Sequence, residues 1–381
     1  MAGIYLHVPF CVKKCDYCDF VSFPEKGMAK QYFAALWREI ELSRTENRDR
    51  QFNTVFFGGG TPSALPPYYI AQTMQRIRDS FNLALEEATI ECNPGTVDEE
   101  KLIAYKKAGF NRISLGVQSF DDRLLRGIGR IHTAKEAEEA VLLARAAGFD
   151  NINIDLMYGL PNQTQDDYIS SIELAAELGV EHISAYSLIL EEGTRLYDRV
   201  DKGEISLPDD DTVYDMHRAG MERLKELGYE RYEISNYAKP GRHSLHNMNY
   251  WNVGEYLGLG LNSSSAIIKK DGKLTRFSNA QTMAEYLSDI SKDMLPRRDE
   301  EEIPAHEEMF ELAMLGLRKI EGVDRTAFIE RFGTDFADVF SQAVNTLENM
   351  GWLMQDERHI CLTDRGLDMQ NSALMEFMDP E

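Results

Sequence analysis

His7-Val8-Pro9-Phe10-Cys11-Val12-Lys13-Lys14-Cys15-Asp16-Tyr17-Cys18-Asp19-Phe20 is the stretch on which the reading of this chain turns. Its cysteines are spaced C-x-x-x-C-x-x-C. Three thiolates on one short loop can hold three corners of a cubane iron–sulfur (4Fe-4S) cluster, which usually takes four cysteine ligands. The fourth iron is then open to a small molecule. Zinc is the competing reading, but zinc sites draw four Cys/His ligands from paired units. The remaining cysteines, Cys92 and Cys361, stand alone in the sequence. A disulfide framework is out of place with five cysteines in 381 residues.

Working outward, short apolar runs alternate with amphipathic helical stretches through the first half, the pattern of repeated β-α units around a parallel sheet. The runs predict strands at Gly3–His7, Thr54–Phe57, Ala88–Cys92, Arg112–Gly116, Asn151–Leu156 and His182–Leu188. Helices are expected at Lys30–Ser43, Pro67–Ser80, Glu99–Ala108, Ala134–Ala147 and Gln165–Leu178. Gly109, Gly148 and Gly179 each stand just past a helix, where a left-handed cap suits a residue without Cβ. The expected fold class is α/β, a partial (β/α)6 barrel over residues 1–230. In β/α barrels chemistry gathers at the C-terminal strand ends. The cysteine loop, Gly58-Gly59-Gly60-Thr61-Pro62, Glu91, Gln118 and Asp155 all fall at such ends.

A β-rich extension is expected over 231–303. It closes on Pro296-Arg297-Arg298-Asp299-Glu300-Glu301-Glu302-Ile303-Pro304, which reads as a linker. Residues 304–381 read as a winged-helix-like helical module. It holds six Lys/Arg from Ala305 onward against sixteen Asp/Glu, a balance that repels phosphate. The net charge of −23 on the whole chain likewise argues against nucleic-acid binding. No apolar run reaches the roughly 18 residues of a membrane span. The N-terminus lacks the pattern of a signal peptide, so a reducing cytoplasm, suited to free thiols, is the expected compartment.

Several polar residues at the strand ends call for partners. Gly59 and Gly60 permit close backbone approach to a ligand, beside Thr61. Gln118 is an amide in an apolar strand. Asp155 is a charge at a strand end, costly if buried alone, and Arg130 could pair with a carboxylate. With the cysteine spacing, these resemble the radical S-adenosylmethionine (SAM) superfamily. The resemblance implies a 4Fe-4S cluster on Cys11, Cys15 and Cys18, with SAM chelating the open iron. It further implies SAM contacts from Tyr5, Tyr17, Gly59, Gly60, Thr61, Glu91, Gln118, Arg130 and Asp155.

The resemblance narrows further. Tyr5-x-His7-x-Pro9-Phe10-Cys11, GGGTP, Glu91-x-Asn93-Pro94, Gly116-Val117-Gln118-Ser119-Phe120, Arg130-x-His132 and Asp155-Leu156-Met157-Tyr158-Gly159-Leu160-Pro161 look like the oxygen-independent coproporphyrinogen III oxidase family. The oxidases carry a further cysteine two residues after the third ligand, and here that position is Phe20. The haem chaperone branch has Phe there. His246-Asn247-Met248-Asn249-Tyr250-Trp251 is similar to the H-N-x-x-Y-W motif of that branch, which implies haem as a third cofactor with His246 as its contact. An imidazole can ligate haem iron, and Tyr250 and Trp251 can offer flat π surface. The alternative is an aromatic corner with His246 hydrogen-bonded inside it. The branch implies haem-acceptor proteins as partners. Propionate decarboxylation, as in the oxidases, is the runner-up function, and a binding protein with a structural or redox-sensing cluster is the third.

Overall fold

The computed structural model describes residues 1–24 and 26–378. Six parallel strands run in sequence order: β1 Ala2–Val8, β2 Gln51–Gly59, β3 Asn82–Cys92, β4 Arg112–Gln118, β5 Ile152–Tyr158 and β6 His182–Ser187. The helices α1 Ala29–Ser43, α2 Pro67–Ser80, α3 Glu99–Ala108, α4 Asp122–Gly127, α5 Ala134–Ala146 and α6 Gln165–Glu177 link them. Capping residues fix several helix starts. Asp98 accepts from the Lys101 N–H at 2.8 Å, and Thr133 and Thr164 form capping boxes with Glu136 and Asp167. Gly109 closes α3 at φ +97°, where a Cβ would be strained.

Alternate strand residues point to opposite faces. Ile4, Leu6 and Val8 of β1, with Val55 and Phe57 of β2, pack against Phe33, Leu36 and Ile40 of α1 in one core. Each fully buried side chain of this size contributes about 2 kcal/mol relative to exposure. The inward face is polar instead. It carries Tyr5, Glu91, Arg112, Ser114, Asn153, Asp155 and His182, held in register by the pairs Tyr5↔Phe56, Glu91↔Ser114 and Asn153↔His182. A barrel interior filled this way has room for function at its mouth.

Beyond β6 come α7 Arg195–Asp201 and α8 Asp210–Glu226, then β7 Glu230–Arg231, β8 Asn236–Ala238 and α9 Leu245–Trp251. The extension expected to be β-rich thus includes a helix. After it, β9 Glu255–Leu259 pairs parallel to β1 on the side away from β2. β10 Ser264–Ile268, β11 Leu274–Asn279 and β12 Arg297–Glu302 then extend the same sheet antiparallel. All twelve strands form one sheet. The charged run expected as a linker is therefore an edge strand, because the Leu274–Asn279 backbone offers it a ladder that no hydrophobic pattern announces.

A second core of residues such as Ala313, Leu317, Phe328, Phe336 and Leu347 organises the C-terminal region. There helices surround a three-stranded antiparallel sheet of Val323–Asp324, His359–Leu362 and Leu353–Gln355. It meets the rest of the chain through Lys319 Nζ donating to Asn252 Oδ1 at 2.6 Å. The Ile320 N–H also donates to the Tyr232 carbonyl at 3.0 Å. No helix among the described residues is long and apolar enough to cross a membrane.

Candidate functional site

The cysteine loop follows the C-terminal end of β1, and the glycine run follows β2. The two are tied by backbone: the Gly60 N–H donates to the Val8 carbonyl at 2.9 Å and the Thr61 N–H to the Phe10 carbonyl at 2.8 Å. Gly60 must be glycine there, since a Cβ would stand 2.8 Å from both backbone atoms of Phe10. Between these segments and the ends of β3, β4 and β5 lies a cavity of about 170 Å³. Cys11, Cys15, Cys18 and Tyr17 form one wall. Gly59, Gly60, Thr61 and Glu91 form a second, and Gln118, Arg130 and Asp155 a third.

The sulfurs have donors. Arg130 Nη1 donates to Cys15 Sγ at 3.3 Å, and the Thr61 hydroxyl to Cys11 Sγ at 3.5 Å. Arg130 also donates to the Gly116 carbonyl, so the guanidinium is clamped across the cavity, while its buried Nε has no partner. Among the described residues no three His, Cys, Asp or Glu side chains converge on one metal-ion position. A cubane instead spreads its thiolates over separate irons, and three thiols lining one cavity with cationic support fit that donor set. Cys92 also reaches the cavity wall, but burial pushes its thiol up to about 12, which keeps it protonated.

Two carboxylates face the same space. Glu91 accepts from the Gly59 N–H at 3.1 Å. Burial, reinforced by the negative charge of Asp155, raises its carboxyl to about 7. Asp155 accepts from Asn153 Nδ2 at 2.7 Å and from the Ser114 hydroxyl at 3.4 Å; burial raises it too, against the pull of Asn153 and Ser184. Gln118 takes φ +70°, where a bulge shifts the β4–β5 register between Gly116 and Gln118. That bulge turns an amide, expected within an apolar strand, toward the cavity.

Two expected residues lie elsewhere. Tyr5 sits deeper in the barrel, stacked on Phe56 at 6.1 Å with its hydroxyl 3.2 Å from His7 Nδ1, and does not line the cavity. His246 is at the opposite end, beside the N-terminal halves of β1 and β2. It is 1% exposed, and its Nδ1 lies 2.8 Å from Thr54 Oγ1 and its Nε2 3.0 Å from the Tyr250 hydroxyl. The ring stacks on Phe56 at 5.1 Å, and burial lowers its pKa to about 3. Neither ring nitrogen is free in this arrangement, so iron ligation there requires one of these bonds to break. Sequence reading did not single out Ser114 or Asn153; the alternation of Arg112, Ser114 and Gln118 in β4 and of Asn153 and Asp155 in β5 with apolar residues is the signal that marks them.

A cubane-ready loop at the mouth of a parallel barrel, with glycine backbone and carboxylates opposite, defines a class. The chain matches the Radical SAM superfamily over residues 5–175 and the HemN C-terminal domain over residues 303–369. Its fold is that of the solved structure described as "Coproporphyrinogen III oxidase (HemN) from Escherichia coli is a Radical SAM enzyme". That likeness has a TM-score of 0.84 at 23% identity and covers 99% of this chain and 89% of the other. Closer in sequence are proteins named Heme chaperone HemW. The one from Bacillus subtilis (strain 168) is 35% identical over 99% of both chains, and that from Escherichia coli (strain K12) is 35% identical over 99% of this chain and 98% of its own. The relative from Haemophilus influenzae is 34% identical over 100% and 98%. The chain belongs to this HemW family.

Proposed function

We propose that the chain is a cytoplasmic haem chaperone that carries a 4Fe-4S cluster and SAM and hands haem to acceptor proteins. The observation that carries this reading is the gathering of three thiols, a cation on sulfur and two carboxylates around one cavity, with Phe20 at its rim. Phe20 is 63% exposed, and it stands where the oxidase branch has its extra thiol. The named relatives bring haem into the proposal.

Cys11, Cys15 and Cys18 would hold the cluster, with Tyr17 packed beside it, and the cluster's open iron would supply a coordination site for SAM. Gly59, Gly60 and Thr61 offer backbone and hydroxyl groups to the ligand. Glu91, once ionised, offers a carboxylate to its cation. Gln118, Arg130 and Asp155 close the cavity against water, with Arg130 donating to the Cys15 sulfur. Tyr5 supports this floor from below through its place beside Glu91. For haem, His246 remains the residue to test, with α9 leaving Thr54 for the ring to be reached. We assign the cofactors to residues 1–230, haem to 231–303 and acceptor contact to 304–381.

Anaerobic reconstitution followed by parallel assays tests the reading. The chain should bind haem with a shifted Soret band and release no carbon dioxide from coproporphyrinogen III when reduced with SAM. SAM-dependent carbon dioxide release would replace chaperone by oxidase.

A further inference from the structure

The inward face of β5 and β6 carries a chain of hydrogen bonds whose direction can be deduced. Asp155 lines the cavity, and an ionised carboxylate only accepts. Asn153 must therefore point its Nδ2 at Asp155 (2.7 Å) and at the Ser114 hydroxyl (2.8 Å). Its Oδ1 then faces His182 Nδ1 at 2.5 Å and the Ser184 hydroxyl at 3.1 Å. An amide oxygen only accepts, so His182 carries its proton on Nδ1. The other ring nitrogen, Nε2, is left as an acceptor, and the Tyr232 hydroxyl stands 2.8 Å from it. The Tyr232 oxygen in turn accepts from the Ser244 N–H at 3.2 Å.

Every donor in this series points toward Asp155, and every member is at least nine-tenths buried apart from Asp155 itself. No water competes for these bonds, so a reversed group would leave two acceptors or two donors facing each other. Ser244 is the N-cap of α9. The series therefore runs from the cofactor cavity through the barrel to the helix that bears His246.

We propose that His182 is a positioning residue of the cofactor site: anchored at Nε2 by the Tyr232 hydroxyl, it donates its Nδ1–H to the Asn153 amide oxygen, locks that amide and so aims the Asp155 carboxylate into the cavity. The inference rests on the cavity being the SAM site. If Tyr232 loses its hydroxyl, the His182 ring loses its anchor at Nε2 and its Nδ1–H can swing off Asn153 Oδ1, or its proton can pass to Nε2. Its Nδ1 lone pair then opposes Asn153 Oδ1, the amide turns over, and oxygen meets oxygen at Asp155.

Two measurements on the full chain test it. In cluster-free protein labelled with 15N-histidine, His182 should show a protonated Nδ1 and a bare Nε2; the opposite tautomer would overturn the proposal. In reconstituted protein, equilibrium dialysis with SAM should give a dissociation constant raised roughly tenfold in Tyr232→Phe, the scale of one charge-assisted hydrogen bond. Iron content should stay near wild type, while the urea midpoint should fall because the Ser244 N–H and His182 Nε2 lose a buried partner. His182→Asn, which keeps a donor near the Nδ1 position, should bind SAM more tightly than His182→Leu. Wild-type affinity in Tyr232→Phe, or equal affinities in the two His182 variants, would overturn it. Absence of SAM binding in the wild type would instead remove the cofactor reading and the inference with it.

Discussion

The two ends of the barrel use similar residue types to opposite purposes. At the cysteine end, thiols, a guanidinium and two carboxylates line an open cavity, and the buried Arg130 Nε lacks a protein partner. At the α9 end, most polar groups satisfy one another, the buried Trp251 Nε1 excepted. His246 uses both nitrogens, and Glu87 accepts from the Leu245 and His246 N–H groups at 2.9 and 3.2 Å. A motif of comparable sequence strength thus builds a receptive surface in one place and a closed joint in the other. Buried polar groups that partner each other specify structure; those converging on empty space await a ligand.

The largest expected effect would break that contrast most directly. Replacing Cys11, Cys15 or Cys18 by Ala should take reconstituted iron from about four per chain to near zero, measured by iron and sulfide analysis. Cys92→Ala and Cys361→Ala should keep it. Next, Glu87→Ala leaves buried N–H groups of α9 without an acceptor and should cost about 3 kcal/mol in urea unfolding. Its iron content should match wild type, and a loss of iron would show that the two ends are not separate.

Third is a pH effect. The folded Glu91 carboxyl titrates at about 7, against 4.5 ordinarily, so between these values the folded chain holds the extra proton. Against the opposite slope of the buried His246, whose folded pKa of about 3 lies below its ordinary 6.5, Glu91 should make stability without ligand fall as pH rises from about 4.5 through 7, by about 3 kcal/mol at most. Glu91→Gln should flatten that slope in urea midpoints taken across the range. The smallest effect belongs to Gln118→Gly. Relief of the left-handed backbone and the added freedom of the unfolded chain nearly cancel, so unfolding should shift by less than about 1 kcal/mol. A larger shift would give the Gln118 amide a structural role.

The sequence foretold what local physics controls. Apolar runs and capping residues located β1 to β6 closely; α2 and α3 fell at their expected bounds. Strand-end positions gathered the cavity residues because a parallel barrel brings all such ends together. Non-local pairing was silent. Nothing in Glu255–Leu259 announces a parallel partner in β1, and Arg297–Glu302 has no apolar face to betray a strand. Likewise His246 reads as a ligand or a corner residue until Thr54 and Tyr250 are placed around it. Asn153 and His182 gain meaning only once β5 and β6 lie in register.

That all-charged strand has a bearing on how the molecule behaves in a crowd. An open sheet exposes unpaired N–H and C=O groups at its margins, an invitation to strands from other molecules. Here one margin is Arg297–Glu302, charged at every position, and the other is only Glu230–Arg231. An apolar strand adding to the first would have to strip water from a row of charges, and the second is too short to template fibril growth. A sheet this wide can thus stay open-edged without recruiting its neighbours into aggregates.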